Sequence, residues 1–354
     1  MPTNPEELKV VVIGGGTGSS AVLSGLKEYT TKVTAVVTMF DTGGSSGLLQ
    51  DEFGYPPLGD LRQCLLSLSE HNEGSQSLRQ LLDFRFRQES SLNGHSLGNL
   101  LLAALTTLGD DLELAIDEMA RLLRIRGQVI PVTLERAELC AELEDGQVVR
   151  GESNIDLRRR SYPGIKLVYL RPPIQANPKA IRAILSADVV VLGPGDLYTS
   201  IIPNLLAGGI PEALANTQAT RIYVCNLMTK LGETDGFKAS DFVGEVIRYL
   251  GGPNLDWALI DNHQVSMTVQ EVYLSEGAYP VVADLEVVRK DVPGVSGLLL
   301  GNDQVPMKHD PHRIAQAVLD ITNVGRVRKT STNGHGRRNA HRHTNPPLQD
   351  LPVV

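Results

Sequence analysis

Short apolar, β-branched runs alternate with longer segments of helical period along most of this chain. Val10-Val11-Val12-Ile13 and Val33-Thr34-Ala35-Val36-Val37 head the series. The pattern predicts strands at 9–13, 33–38, 128–134, 165–170, 188–192, 221–225 and 257–261. It predicts helices at 18–28, 60–70, 75–87, 97–108, 111–124, 178–186, 211–216, 238–250 and 311–321. A run such as Val189-Val190-Val191-Leu192 has no polar alternation, which suits a parallel sheet covered on both faces. Strands separated by helices imply right-handed crossovers, so the class is α/β with a mostly parallel sheet. Residues 71–127 read as a helical insertion. Residues 138–151 alternate as a small hairpin turning at Asp145-Gly146. From about residue 326 the apolar period stops. The expected organisation is a single domain over 1–325 and a disordered basic tail over 326–354.

Composition narrows the function classes. The chain has 354 residues, 42% apolar and 21% charged, which is ordinary for a globular protein with a large core. Net charge is −8, but residues 326–354 carry six Arg or Lys and one Asp. The body is therefore strongly acidic, which argues against nucleic acid as a partner. Aromatic content of 5% argues the same way for stacked single strands. Cys64, Cys140 and Cys225 are far apart and lack metal or disulfide spacing, so they read as buried hydrophobes. No apolar run approaches the ~20 residues of a membrane helix, and Met1 to Glu7 does not resemble a signal peptide. A cytoplasmic protein without a membrane span is expected.

The chemistry gathers in loops that follow strands, where ligands of parallel sheets bind. Gly14-Gly15-Gly16-Thr17-Gly18-Ser19 joins the first strand to a helix. Glycines there let the backbone turn tightly and approach a phosphate, which the helix N-terminus attracts. Ser19 stands where a dinucleotide fingerprint has its third Gly or Ala, and no P-loop lysine follows. Asp41-Thr42-Gly43-Gly44-Ser45-Ser46-Gly47 reads as a second loop, a nest of N–H groups with hydroxyls. In an NAD-dependent oxidoreductase, Asp41 would hold the ribose. Paired with Asp60 it would instead hold Mg²⁺ through few protein ligands and several waters. Asp60 also suits the N-cap of the helix that follows. His95, Ser96 and Asn99 form a polar knot ahead of an apolar helix, which Ser96 or His95 would cap. Gly193-Pro194-Gly195-Asp196-Leu197-Tyr198-Thr199-Ser200 and Asn226-Leu227-Met228-Thr229-Lys230-Leu231-Gly232-Glu233-Thr234 repeat the strand-to-polar-loop arrangement.

Taken in order, these motifs resemble the family that holds the 2-phospho-L-lactate transferase CofD and the YvcK proteins known as gluconeogenesis factors. Pro57-Leu58-Gly59-Asp60-Leu61-Arg62 and Ile201-Ile202-Pro203-Asn204 add to the match, which spans about residues 9–322 and favours the YvcK branch. The resemblance implies a Rossmann-like three-layer fold. From the transferase branch it implies metal-handling aspartates at Asp41 and Asp60. From the YvcK branch it implies UDP-sugar binding and roles in gluconeogenic growth, cell shape and cell-wall synthesis. This chain has Asp196 where the family more often has Ser, so an anion there needs a compensating metal, Arg or Lys.

The function expected is that of a nucleotide-sugar-binding regulator. A Mg²⁺-dependent, CofD-like transferase is the alternative, and an NAD-dependent oxidoreductase the weaker one. The nucleotide-binding residues expected are Gly15, Gly16, Thr17, Gly18, Asp41, Gly43, Gly44, Ser45, His95, Asn99, Gly195, Tyr198, Asn204 and Asn226, with Asp41 and Asp60 for metal. Candidate partners are a nucleotide-activated small molecule, a second copy of the chain, and a Ser/Thr kinase acting at Arg328-Lys329-Thr330-Ser331-Thr332.

Overall fold

The computed structural model describes residues 5–70, 73–87, 91–158, 162–252, 254–261, 267–284 and 308–332. Its strands, in chain order, are β1 (Val10–Gly14), β2 (Val33–Val37), β3 (Gln128–Pro131), β4 (Glu138–Leu143), β5 (Val148–Arg150), β6 (Ile165–Arg171), β7 (Val189–Leu192), β8 (Thr220–Val224) and β9 (Trp257–Leu259). Six of them form one sheet in the order β3-β2-β1-β7-β8-β9, and every pairing in it is parallel. This is the doubly wound arrangement, built from two three-strand halves that meet at β1 and β7. Val10 to Ile13 and Val189 to Leu192 are wholly buried, as continuous apolar strands between two helical layers should be. Each such side chain contributes about 1.5–3 kcal/mol by leaving water.

The first half carries the helices α1 (Gly16–Leu26), α2 (Gly44–Phe53), α3 (Gly59–Leu68), α4 (Glu73–Asp83), α5 (Leu97–Gly109) and α6 (Leu112–Leu123). Helices α4 to α6 are the expected insertion. α2 occupies a stretch expected to be a loop. Then come α7 (Glu152–Asp156), α8 (Pro178–Ser186), α9 (Ile202–Leu205), α10 (Ile210–Asn216), α11 (Ala239–Tyr249), α12 (Met267–Leu274) and α13 (Pro311–Thr332). α13 lies against α1 at Gly25, where a Cβ would sit 2.0 Å from the Pro311 carbonyl oxygen. Ile314, Ala315 and Val318 of α13 are buried.

Two expectations change. The segment 165–170 is not part of the parallel sheet. As β6 it pairs antiparallel with β4, so the expected hairpin is a three-stranded sheet in the order β5-β4-β6. Val168 and Leu170 are buried while Lys166 is exposed, the one-sided burial that an antiparallel strand tolerates. The last helix also continues past residue 326, where the apolar period ends. Residues 333–354 of the expected tail lie outside the described residues. Among the described residues no helix is long and apolar enough to cross a membrane. Cys64, Cys140 and Cys225 are free and buried.

Candidate functional site

β1 and β7 run side by side, with Ile13 in register with Leu192, and the chain leaves them toward opposite ends of the sheet. That divergence opens a crevice at their carboxyl ends, where open α/β sheets bind ligands. The Gly15–Gly18 turn forms one wall. Gly15 is the N-cap of α1 and supplies no side-chain cap, so first-turn N–H groups face the crevice with the positive end of the helix. Gly16 has φ +63°, a left-handed conformation that glycine adopts without strain. A Cβ on Gly18 would sit 2.3 Å from the Pro194 carbonyl oxygen, so the loop after β7 closes directly over the first turn of α1. The crevice encloses about 1260 Å³. Gly15, Gly16, Thr17, Gly18, Gly195 and Asn226 all line it.

The second glycine-rich motif behaves differently. Asp41 stands beyond the end of β2, and its Oδ1 accepts the Gly43 N–H at 2.7 Å. Gly43 caps α2 and Gly44 begins it, so no open loop follows. The hydroxyls turn inward. Ser46 Oγ accepts the Gly59 N–H at 3.1 Å. Ser45 Oγ lies 3.3 Å from His95 Nδ1 and accepts the Ser96 N–H at 3.4 Å. Ser96 caps α5 by accepting the Asn99 N–H, and Asn99 Oδ1 accepts from Arg62 Nε at 3.0 Å. Ser45, His95, Asn99 and Arg62 are buried. They form a polar hub joining α2, α3 and α5, and none of the four lines the crevice. Tyr198 is also buried, edge-on to Phe237 with ring centres 6.4 Å apart. Asn204 is fully buried; its Nδ2 donates to the Ser200 carbonyl at 2.7 Å, and its Oδ1 has no partner among the described residues. Asp60 is the second residue of α3, whose N-cap is Leu58, so it is not the cap itself.

Two groups of acids lie near the crevice; Asp156 and Asp196 line it, whereas Asp41, Asp60, Glu152 and Glu233 do not. In the first, a Cβ on Gly15 would lie 2.3 Å from Asp60 Oδ2, so the carboxyl abuts the glycine turn. Burial and the neighbouring Asp41 charge push Asp60 up to about 7, against a hydrogen bond from the Gly16 N–H. Glu152 of α7 accepts the Thr42 N–H at 3.2 Å. Burial and Asp41 likewise push it up to about 7. In the second group, Lys230 meets three carboxylates. Its Nζ is 2.7 Å from Asp196, 3.0 Å from Glu233 and in contact with Asp156. Hydrogen bonds to Asp156 and Asp196 use two of the three ammonium N–H donors, and Glu233 adds an ion pair. Burial alone would lower the Lys230 pKa, but Glu233, Asp196 and Asp156 outweigh it and raise it. Glu233 is inaccessible and takes a further hydrogen bond from Thr199 Oγ1 at 3.3 Å. The cation that Asp196 requires is therefore Lys230.

Lys230 lies inside a motif noted in the sequence, and the unbalanced Asp196 was the signal that could have singled it out. Glu152 and Asp156 of α7 carried no local signal, because only folding brings that helix beside these loops, and Glu233 lies in the same motif as Lys230 without having been singled out. Gln63 and His309 line the crevice and had no local signal either.

Comparison with known proteins adds the following. Residues 10–296 match the family described as 2-phospho-L-lactate transferase CofD. The gluconeogenesis factor of Halalkalibacterium halodurans is 41% identical over 316 residues, 88% of this chain and 95% of that protein. The gluconeogenesis factor of Bacillus subtilis is 38% identical over 320 residues, 88% of this chain and 98% of that protein. A crystal structure of a UPF0052 family member from Bacillus halodurans has a TM-score of 0.80 at 40% identity, covering 88% of this chain and 100% of that one.

Proposed function

This chain belongs to the CofD family, and on that premise we propose that its crevice binds a nucleotide sugar. The observation that carries the reading is the Gly15–Gly18 turn at the switch point between β1 and β7. Backbone N–H groups at the start of α1 suit a diphosphate. The crevice of about 1260 Å³ leaves room for a base and a sugar beyond it. UDP-linked sugars are the class proposed. The relatives are named gluconeogenesis factors, which supports gluconeogenic growth as the output proposed, with control of cell shape and wall synthesis as the wider role proposed.

Asp41 and Asp60 fit a hard divalent cation such as Mg²⁺. They supply carboxylate oxygens, burial and then the Asp41 charge raise the pKa of Asp60, and the Asp60 carboxyl abuts the phosphate-sized turn. A bound Mg²⁺ would neutralise charge on the ligand's phosphates. The protein's own part is to hold the two carboxylates beside the turn and to present N–H groups to the phosphate. The test is titration calorimetry with UDP-N-acetylglucosamine, with and without Mg²⁺. Saturable heat that strengthens with Mg²⁺ is expected, and no heat at millimolar ligand overturns the reading.

The same acids support a second reading, a transferase of a nucleotide-activated phospholactyl-type group. Positioning and charge neutralisation would suffice for that chemistry. Release of GMP from guanosine-activated phospholactate, given a deazaflavin acceptor and Mg²⁺, would establish it. Its absence leaves binding without turnover.

A further inference from the structure

The nucleotide-sugar reading, on which this inference rests, assigns the glycine turn and the acids but not the uncharged groups of the crevice. Three uncharged side chains from separate elements line it: Gln63 of α3, Asn226 after β8 and His309 just ahead of α13. Among the described residues, each keeps a buried polar atom without a hydrogen-bond partner, namely Gln63 Oε1, Asn226 Oδ1 and His309 Nδ1. A buried polar atom left unpaired is costly, and native proteins carry few of them. Three around one crevice indicate groups held ready for a ligand.

Their chemistry restricts that ligand. Burial pushes His309 down to about 4, so its ring is neutral near neutral pH. A neutral ring and two carboxamides offer no charge to a phosphate. Phosphate oxygens only accept hydrogen bonds, so they cannot satisfy an unpaired acceptor. Sugar hydroxyls donate as well as accept, and therefore satisfy a carboxamide in either orientation. Gln63 follows Asp60 by three residues on α3, which puts both on one face of that helix. The helix thus offers a carboxylate for a cation and a carboxamide for a hydroxyl.

We propose that Gln63 and His309, together with Asn226, form the wall that reads the sugar of the nucleotide sugar through its hydroxyl and amide N–H groups. The diphosphate lies on Gly15–Gly18, and these three side chains set selectivity for a glycosylated over a bare nucleotide.

The experiment compares UDP-N-acetylglucosamine with UDP on the full chain by titration calorimetry. The wild type should bind the sugar nucleotide more tightly. Gln63→Leu and His309→Phe should each weaken it by about tenfold, the worth of one hydrogen bond, and change UDP by less than about twofold. His309→Asn, which restores a polar group, should recover part of the loss. Circular dichroism melting checks each fold, and Gln63→Met replaces any leucine variant that does not fold. Equal losses for both ligands, or no loss for either, overturn the inference and leave the binding reading intact. A wild type that binds UDP as tightly as its sugar conjugate also overturns the inference alone. A wild type that binds neither overturns both.

Discussion

The two acid groups beside the crevice handle the same problem in opposite ways. Asp156, Asp196 and Glu233 surround Lys230, an internal cation paired with all three. Among the described residues, Asp41, Asp60 and Glu152 make no ion pair with a lysine, and Lys230 lowers the pKa of Glu152 only from a distance. Arg62 lowers the pKa of Asp60 from a distance, but its guanidinium is bonded to Asn99 and Asp83. Burial first, and then the Asp41 charge, push Asp60 and Glu152 both up to about 7. The first group is closer to balance, although burial still raises the pKa of Glu233 and its Oε2 has no hydrogen-bond partner among the described residues. The other is balanced only by protons or by an added cation, which is why it is the better place for a metal.

The largest test breaks the group around Lys230. Lys230→Met leaves Glu233 buried beside two other carboxylates with nothing to neutralise them. Removing one partner of a buried ion pair costs about 3–5 kcal/mol, and urea unfolding should show a loss of that size. A loss below about 1 kcal/mol would mean that the ammonium is not the counter-ion of Glu233.

Next comes the other group. Mg²⁺ at about a hundred times its dissociation constant should stabilise the wild type by about 2.7 kcal/mol. Asp60→Asn should abolish that gain while stabilising the metal-free protein above pH 7. An equal Mg²⁺ effect in wild type and variant would remove Asp60 from the metal site.

This division of labour was only partly legible in the sequence. Val10–Ile13 and Val189–Leu192 announced the parallel sheet because continuous burial leaves a local trace. The Gly15–Gly18 turn was legible for the same reason: a strand, glycines and a helix follow one another. α2 was not, because Gly44-Ser45-Ser46-Gly47 has poor intrinsic helix propensity. Its helix is held by tertiary bonds such as Ser46 Oγ to the Gly59 N–H, which the sequence does not display. His95 and Asn99 read as ligand groups since polar residues before an apolar helix look available. Folding gave them partners in Ser45 and Arg62. The Lys230 cluster joins α7, the loop after β7 and the loop after β8, so only the fold assembles it.

A smaller effect concerns pH. Asp60 and Glu152 have folded pKa values above those of the unfolded chain, so the native state keeps protons that the unfolded state has released. Each therefore lowers stability as pH rises from the ordinary carboxylate range to about 7, and adds no further change above it. The slope is at most about 1.4 kcal/mol per pH unit for each group, less where solvent reaches it. His309 acts with the opposite sign, since its lowered pKa removes stability as pH falls from 6.5 toward 4. Urea unfolding from pH 4 to 8 should give a shallower decline for Asp60→Asn than for the wild type. Identical curves would show that Asp60 is ionised throughout.

The smallest effect is the most discriminating for the paired group. Asp196 is 41% exposed on its side chain, whereas Glu233 is fully covered, so the two ion pairs with Lys230 are unequal. Asp196→Ser, the residue more usual in the family, should cost only about 0.2–1 kcal/mol of stability, as exposed pairs do. The substitution also frees one ammonium donor and removes one negative charge next to the phosphate turn. Affinity for UDP should therefore rise, and rise most at low salt, where charge is least screened. The gain should vanish in Asp196→Ser combined with Lys230→Met, since no ammonium is then left to turn toward the phosphate. If affinity for UDP instead falls with Asp196→Ser alone, Asp196 contributes to binding directly, and the internal counter-ion is not its only role.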